Sequence, residues 1–277
     1  MSFAFLSPEG LSREGIHWTS RVFSGPDSRD FLHRLTTLDV RNLRPGHPPS
    51  SSWGFILTAT GRIRAAFFLT CIAESEFLFE FDAGHGGEWD RALVEAIDQY
   101  TFAEKQELSP PSKDPCVWVL GDLSDPKLHE SAHDFGLKWI SHGDRDFGRQ
   151  WISAWGQNCE QWKNELLRSG ASALEEGALE RWRLEKVRPW FCHEVGPEVM
   201  PLELGLLDGI TQGKGCYPGQ EVIERILTQG STPRKLARLR GDDGSAKLAL
   251  VRKNESKLGT EVVLTSGFKG TVEQCID

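Results

Sequence analysis

The sequence predicts an α+β protein, with helices and strands mixed along most of the chain and a run of short strands at its end. Stretches of alternating polar and apolar residues indicate strands, and stretches with apolar residues at helical spacing indicate amphipathic helices. The order of these stretches is neither a regular βαβ alternation nor all-β. No G-x-G-x-x-G follows a predicted strand, so a dinucleotide-binding fold has no support.

The first part of the chain predicts one helix followed by three strands. In residues 24–40, Ser24 is a candidate helix cap and Pro26 fits the first helical turn. The segments WGFILT and IRAAFFLT predict two strands joined by a short turn. In EFLFEFD, phenylalanines alternate with polar residues, which predicts a strand with one buried face.

The middle of the chain alternates helices and strands, and the C-terminal part is all β. A helix is expected from about Glu88 to Glu107, followed by strands at VWVL, LKWI and RQWISAW. Two further segments, NCEQWKNELLRSG and EEGALERWRLEKVR, have helical patterns. From about Arg234, four short strands predict a small β barrel. We therefore expect a larger region at 1–230 and a small domain at 231–277.

Composition narrows the functional class. The chain of 277 residues carries a formal net charge of −8, which argues against direct nucleic-acid binding. No apolar run is long enough to span a bilayer, and the N-terminus lacks a secretory pattern, so we expect a cytoplasmic protein. The six cysteines include no C-x-x-C pair, so no metal site is expected.

The segment KGCYPGQEVIERI, residues 214–226, is the most unusual in the chain. Pro218 fits the first turn of a helix, which places Cys216 just outside a helix N-terminus and near Lys214. Both features favour a thiolate, as in reactive cysteines. A glycine-rich cap around a buried, inert thiol is the alternative, and the residues alone do not decide between the two. An i,i+4 ion pair is expected between Glu221 and Arg225.

The same segment resembles the K-G-C-Y-x-G-Q-E signature of YgfZ-type folate-binding proteins, relatives of the glycine-cleavage T-protein, an aminomethyltransferase. The matching residues are Lys214, Gly215, Cys216, Tyr217, Gly219, Gln220 and Glu221. The resemblance extends to further segments of the chain, namely GPDSRDFLHRLTTLDV, LTATGRIRAAFFL, RLEKVRP, MPLELGLLDGI and GSTPRKLARL.

The resemblance implies a multi-lobed fold around a central channel that binds tetrahydrofolate or a derivative. It also implies an accessory role in iron–sulfur cluster assembly or repair and, indirectly, in tRNA modification. The expected partners are reduced folate and iron–sulfur proteins or their assembly factors, with no membrane association. The resemblance further favours a monomer.

Glu185 occupies the position of the family's pterin-binding glutamate. A carboxylate can accept the two adjacent N–H donors of a pterin edge in a bidentate pair. The alternative is a solvated helix carboxylate paired with Arg188. The anionic tail of folate would need cations, for which the candidates are Arg183, Arg225, Arg234 and Lys235. The family usually has glycine where this chain has Val187, so we expect the backbone near Glu185 to differ.

The hairpin GRIRAAFFLT lacks the acidic pair that the T-protein carries there, one member of which is catalytic. Arg62 and Arg64 stand in this stretch, and arginine cannot act as an acid because it stays protonated. We therefore expect a non-catalytic folate-binding protein, with Cys216 as a possible functional thiol. The alternatives are a folate-dependent one-carbon transferase, an interaction scaffold without a folate site and a thiol-redox protein.

Overall fold

The structure is a computed structural model that describes residues 4–46, 51–120, 126–142, 151–191 and 193–276. The chain forms two compact units. The first unit comprises Met1–His33, Asp39–Trp53 and Phe67–Leu179, and the second comprises Arg34–Leu38, Gly54–Ala66 and Glu180–Asp277. The boundary expected at residue 230 falls inside the second unit and stays a prediction.

Helices and strands are mixed throughout, which confirms the α+β class. The α-helices are α1 (Pro8–Arg13), α2 (Ser28–Leu35), α3 (Glu88–Tyr100), α4 (Pro126–Asp134), α5 (Cys159–Arg168), α6 (Ala178–Lys186) and α7 (Gln220–Gln229). The strands are β1 (Ala4–Leu6), β2 (Trp18–Ser24), β3 (Ser51–Leu57), β4 (Ile63–Ala73), β5 (Glu76–Asp82), β6 (Glu107–Leu108), β7 (Cys116–Leu120), β8 (Lys138–His142), β9 (Trp151–Trp155), β10 (Ser172–Ala173), β11 (Arg234–Gly241), β12 (Ala246–Arg252), β13 (Glu261–Val263) and β14 (Lys269–Cys275). In the described part of the chain, no helix has both the length and the apolar character needed to cross a membrane.

The first unit contains two mixed or antiparallel sheets among its described residues. One has the strand order β10-β1-β7-β9-β8, and the other has the order β3-β4-β5-β2-β6, with the tip of the β3–β4 hairpin counted in the second unit. Side chains of Val117, Ile152, Trp162 and Leu166 form a core between the first sheet and its helices. Burial of this apolar surface is the main favourable term in the stability of the unit.

A buried carboxylate joins the two sheets of the first unit. Glu80 on β5 is 0% exposed and accepts hydrogen bonds from Ser153 Oγ at 2.5 Å and Trp155 Nε1 at 2.7 Å, both on β9. His142 Nε2 on β8 lies 3.4 Å from the other carboxylate oxygen. Burial raises the pKa of Glu80 to about 7 and lowers the pKa of His142 well below its usual value.

Three details of the sequence prediction are wrong in this unit. Strand β5 is buried on both faces over its second half, because Glu80 faces the other sheet. Helix α3 ends at Tyr100 rather than near Glu107, since Glu107–Leu108 pairs with β2. Ser24 is the last residue of β2 and caps no helix, because the chain first passes Gly25 at a φ of 133° before α2 begins.

The second unit contains part of α6, a long irregular segment, α7 and the C-terminal strands. Those strands form a curled sheet with the order β12-β11-β14-β13, which is an open half-barrel. Its core consists of Ala237, Leu239, Val251, Val262 and Val272. The predicted C-terminal β structure is therefore present as a half-barrel sheet within the second unit.

The buried carboxylate predicts a specific pH dependence of the free energy of unfolding. The pKa of Glu80 is about 7 in the folded protein, above its value of 4.5 in the unfolded chain. Its contribution to stability is therefore complete below pH 4.5 and is lost as the pH rises through 7. The Glu80→Gln variant has no such titration, so it should gain about 3 kcal/mol relative to wild type between pH 4.5 and pH 7.

Urea unfolding of both proteins at several pH values measures this difference. His142 titrates in the opposite direction and contacts Glu80, so the same comparison is also made in a His142→Gln background, where that titration is absent. A difference in stability that stays constant with pH would show that Glu80 remains ionised in its buried position.

Candidate functional site

The loop before α7 places Cys216 on the protein surface. Cys216 is exposed, whereas the neighbouring Tyr217 side chain is only 8% exposed. Gly215 and Gly219 have φ angles of 112° and 81°, in the region that favours glycine. The alternative of a buried thiol is therefore wrong, and the Cys216 sulfur is accessible to reagents.

Helix α7 begins two residues later than the sequence predicted. Its first residue is Gln220 and its cap is Gly219, so Pro218 lies before the helix rather than in its first turn. The expected ion pair between Glu221 and Arg225 is not formed within the described residues. Arg225 is exposed on α7, and no described carboxylate pairs with it.

Gly219 lets the backbone before α7 touch the tip of the β3–β4 hairpin. A Cβ atom at Gly219 would lie 2.5 Å from the Thr58 carbonyl oxygen and 3.0 Å from Gly61 Cα. A Cβ atom at Gly61 would in turn lie 3.2 Å from Val222 Cγ1. This contact joins two of the segments noted in the sequence, the Cys216 motif and the arginine-bearing hairpin.

Tyr217 anchors the loop beside the exposed thiol. Lys214 Nζ lies 5.0 Å from the centroid of the Tyr217 ring, a cation–π distance. Burial raises the pKa of Tyr217 to about 12, and the negative charge of Glu224 adds to this shift. The Tyr217 hydroxyl oxygen is buried without a hydrogen-bond partner among the described residues. The tyrosine thus fixes the backbone on which Cys216 is exposed.

Thr37 holds the chain that leads into the loop. Its hydroxyl donates to the Gly209 carbonyl at 2.5 Å and accepts from the Phe55 amide at 3.0 Å. Its carbonyl accepts from the Thr211 amide at 2.9 Å. Thr37, from the LTTLDV segment, therefore connects β3 to the chain that precedes the Cys216 loop in the second unit.

Glu185 projects from α6 into solvent. Its side chain is 71% exposed, and its described ion-pair partner is Lys186 Nζ at 3.8 Å rather than Arg188. The Arg238 guanidinium donates to the Glu185 backbone carbonyl at 3.2 Å, which ties the end of α6 to β11. The Glu185 carboxylate therefore forms no close intramolecular ion pair within the described residues.

Val187 adopts the backbone conformation that glycine would supply at this position. Its φ is 54°, and it is the non-glycine residue with positive φ within the described part of the chain. A β-branched side chain thus occupies a left-handed turn directly after α6, and the expectation that the backbone near Glu185 differs from the family's stays a prediction. Such a residue in the left-handed region costs about 1 to 3 kcal/mol. Burial of the side chain, which is 3% exposed, offsets this cost.

Arg183 lies inside the unit and is bound by two carboxylates. Its guanidinium donates to Glu194 Oε2 at 2.8 Å and to Glu180 Oε1 at 2.9 Å. His193 Nδ1 lies 3.3 Å from the same guanidinium. Burial raises the pKa of Glu194, an effect that the charge of Arg183 opposes. The charge of Arg183 is thus already balanced, which leaves little of it for a folate tail.

Arg234 is bound in a similar way to a glutamate that the sequence analysis did not single out. Its Nε and Nη2 atoms donate to the two oxygens of Glu203, both at 2.8 Å, and Glu203 is 1% exposed. The signal was present in MPLELGLLDGI, where an acidic residue stands inside an apolar segment. A buried carboxylate there required a cation, and Arg234 supplies it.

The close contact at Gly219 predicts a large effect of a single methyl group. Gly219→Ala should lower the free energy of unfolding by about 2 to 4 kcal/mol, because it adds a backbone clash to an unfavourable φ. Gly213→Ala is the matched control, since Gly213 has a φ of 73° and open space around it. We expect that control to cost only about 1 kcal/mol. Equal losses in urea unfolding of the two variants would rule out the hairpin contact.

The strained turn at Val187 predicts that glycine is more stabilising than alanine at this position, the reverse of their order inside a helix. Val187→Gly should be more stable than Val187→Ala by about 1 kcal/mol, because alanine keeps the strain and glycine relieves it. At Asn164, an exposed position inside α5, the alanine variant should instead be the more stable by about 1 kcal/mol. Thermal unfolding of the four variants measures both differences. If the alanine variant is the more stable at both positions, the left-handed turn at Val187 is excluded.

The sequence of the chain is similar to those of several known proteins. No protein-family model matches the chain. A putative chloroplastic transferase of Arabidopsis thaliana is 26% identical over 90% of the chain, and the match spans 60% of that relative's length. A tRNA-modifying protein YgfZ of Vibrio atlanticus is 23% identical over 83% of the chain and 69% of its own length. An aminomethyltransferase of Desulfitobacterium hafniense is 23% identical over 80% of the chain and 65% of its length.

A solved structure with a similar fold is also an aminomethyltransferase. The crystal structure of aminomethyltransferase T of the glycine cleavage system from Bartonella henselae superimposes with a TM-score of 0.72 at 16% identity. The superposition covers 99% of this chain and 85% of that one. The chain is therefore similar in sequence to YgfZ proteins and aminomethyltransferases, and it shares the fold of aminomethyltransferase T.

Proposed function

We propose that the protein binds a reduced folate and acts as an accessory factor for iron–sulfur enzymes and, through them, for tRNA modification. One observation carries the proposal. The Cys216 motif and the hairpin, each of which resembles a segment of the folate-binding family, meet in backbone contact at Gly219. Two segments that are more than 150 residues apart thus form one structural element in the second unit.

The residue proposed to hold the pterin has suitable chemistry. The Glu185 carboxylate is exposed, with Lys186 at 3.8 Å as its described partner, so both oxygens are available to a bidentate ligand. A pterin edge presents two adjacent N–H donors that such a carboxylate accepts. Glu185 would therefore orient the ring of tetrahydrofolate or a derivative.

Among the arginines proposed to hold the anionic tail, Arg225 is the best candidate. It is exposed on α7 and pairs with no described carboxylate. Arg183 and Arg234 are each held by buried carboxylates, so either would bind the tail only by giving up part of an existing ion pair. The geometry thus favours Arg225 as the tail cation in this proposal.

We infer a binding role rather than aminomethyl transfer from the chemistry of the hairpin. Arg62 on this hairpin pairs with Glu198 at 3.0 Å, and the stretch from Gly61 to Ala73 contains no carboxylate. A permanently protonated guanidinium cannot take up a proton from a substrate. A folate-dependent one-carbon transferase remains the second candidate, because the relatives include aminomethyltransferases.

The proposal also assigns a position to Cys216. The exposed thiol lies on a loop fixed by Tyr217 and Gly219, where a partner protein or a small electrophile can reach it. Iron–sulfur proteins or their assembly factors are the proposed partners, in a cytoplasmic setting and with the protein as a monomer. The partners and the monomeric state follow from the family resemblance, whereas the cytoplasmic setting rests on the sequence prediction.

Calorimetric titration of oxygen-protected tetrahydrofolate tests the folate site. We expect micromolar binding to wild type and a loss of about 100-fold in Glu185→Gln, since one acceptor of a charge-assisted pair becomes a donor. Glu95→Gln, an exposed glutamate on α3, is the control for a change of net charge. Cys216→Ser should bind like wild type, because the thiol is not assigned to the pterin.

Each result has a defined meaning. Wild-type affinity in Glu185→Gln would place the pterin elsewhere. The absence of binding to wild type would favour an interaction scaffold without a folate site. Turnover of a methylamine-type donor in the presence of tetrahydrofolate would favour the transferase.

A further inference from the structure

Strand β12 forms one edge of the C-terminal half-barrel and presents unpaired backbone groups. It pairs with β11 on one side, and no described strand lies on the other. Two backbone bonds fix which residues face outward, namely Gly241 N to Ser245 O at 2.8 Å and Lys253 N to Pro233 O at 3.0 Å. In an antiparallel pair, hydrogen-bonded positions alternate with non-bonded ones.

The alternation assigns the outward positions of β12. Residues 245, 247, 249, 251 and 253 bond towards β11, so Ala246, Leu248 and Leu250 direct their N–H and C=O groups outward. Arg252 also faces outward, but its amide donates to Glu255 Oε2. The backbone groups of the first three residues have no partner in the described part of the chain.

A cavity of about 510 Å³ runs along this free edge. Five consecutive residues of β12, from Ala246 to Leu250, line it. Because neighbouring side chains of a strand point to opposite faces, a cavity lined by consecutive residues follows the strand edge rather than one face of the sheet. The opposite wall comes from α6 and the segment after it and includes Leu184 and Val199.

The charges around the cavity balance one another. Glu180 and Glu194 are bound to Arg183, and Lys247 contributes a second positive charge. Burial lowers the pKa of His193, with a further contribution from Arg183. Two negative and two positive groups therefore line the cavity, which favours neither an anionic nor a cationic ligand.

We propose that the edge of β12 is a docking site for an extended, uncharged peptide segment of a partner protein, which adds a strand to the half-barrel. The outward N–H and C=O groups of Ala246, Leu248 and Leu250 would pair with the peptide backbone. Apolar peptide side chains would contact Leu184 and Val199. An exposed strand edge is a ready template for such pairing.

A second copy of the chain fits this edge less well. Antiparallel pairing of two β12 strands centred on Leu248 would place the Lys247 side chains of both copies diagonally on one face, where like charges repel. An uncharged peptide avoids this repulsion. The structure therefore favours a peptide partner over self-association.

Binding of a labelled peptide tests the proposal. The probe is Thr-Val-Thr-Val-Thr-amide with an uncharged nitrobenzoxadiazole label on its N-terminus, for which fluorescence anisotropy should give a Kd below about 1 mM. Its fully N-methylated form, which cannot donate backbone hydrogen bonds, should not bind. Leu250→Pro should weaken binding at least tenfold, because proline removes an outward N–H that the sheet itself does not use. Leu250→Ala is the control for loss of the side chain alone.

Amide hydrogen exchange on the wild type tests the proposal independently of whether Leu250→Pro folds. Peptide addition should increase protection at least tenfold at Ala246, Leu248 and Leu250, with little change at Lys247 and Ala249. Binding that survives both N-methylation and Leu250→Pro would overturn the proposal. The absence of peptide binding to the wild type would also overturn the proposal. In that case, sedimentation of the wild type as a dimer that Leu250→Pro disrupts would indicate that β12 pairs with a second copy instead.

Discussion

The backbone contact between Gly219 and the β3–β4 hairpin is the constraint on which the candidate site depends. A carbonyl oxygen and a helix cap can approach this closely only where no Cβ intervenes. The contact fixes where α7 begins and hence which residues of the preceding loop are buried. Tyr217 turns inward and Cys216 outward as a result. Thr37 holds the chain before the loop through hydrogen bonds with Gly209 and Thr211, and a third bond from the Phe55 amide joins Thr37 to β3.

Buried carboxylates are the second organising feature, and each is stabilised in a different way. Glu80 has neutral donors around it, so burial raises its pKa and it becomes partly protonated near neutral pH. Glu203 and Glu194 are paired with Arg234 and Arg183 and keep their charge within an ion pair. Removing either arginine would leave a buried charge uncompensated, which is strongly destabilising. These arginines therefore have structural roles whatever ligand the protein binds.

The sequence patterns predicted the presence of helices and strands better than the residues at which they begin and end. The four C-terminal strands, the hairpin and α7 follow from local periodicity. The end of α3 was missed because pairing of Glu107–Leu108 with β2 is a long-range contact that outweighs helical pattern. The burial of Glu80 was missed for a similar reason, since alternation within β5 carries no information about a second sheet across its polar face.

The α+β class, the Cys216 motif with its two glycines, and the lack of a carboxylate between Gly61 and Ala73 are all properties of local residue order. Tertiary structure, in contrast, determines which charged groups remain available to a ligand. It placed Arg183 and Arg234 against buried glutamates and left Glu185 and Arg225 exposed, although all four are ordinary charged residues in the sequence. The physical reason is that the partner of a charge, and the water it loses on burial, depend on segments far away along the chain.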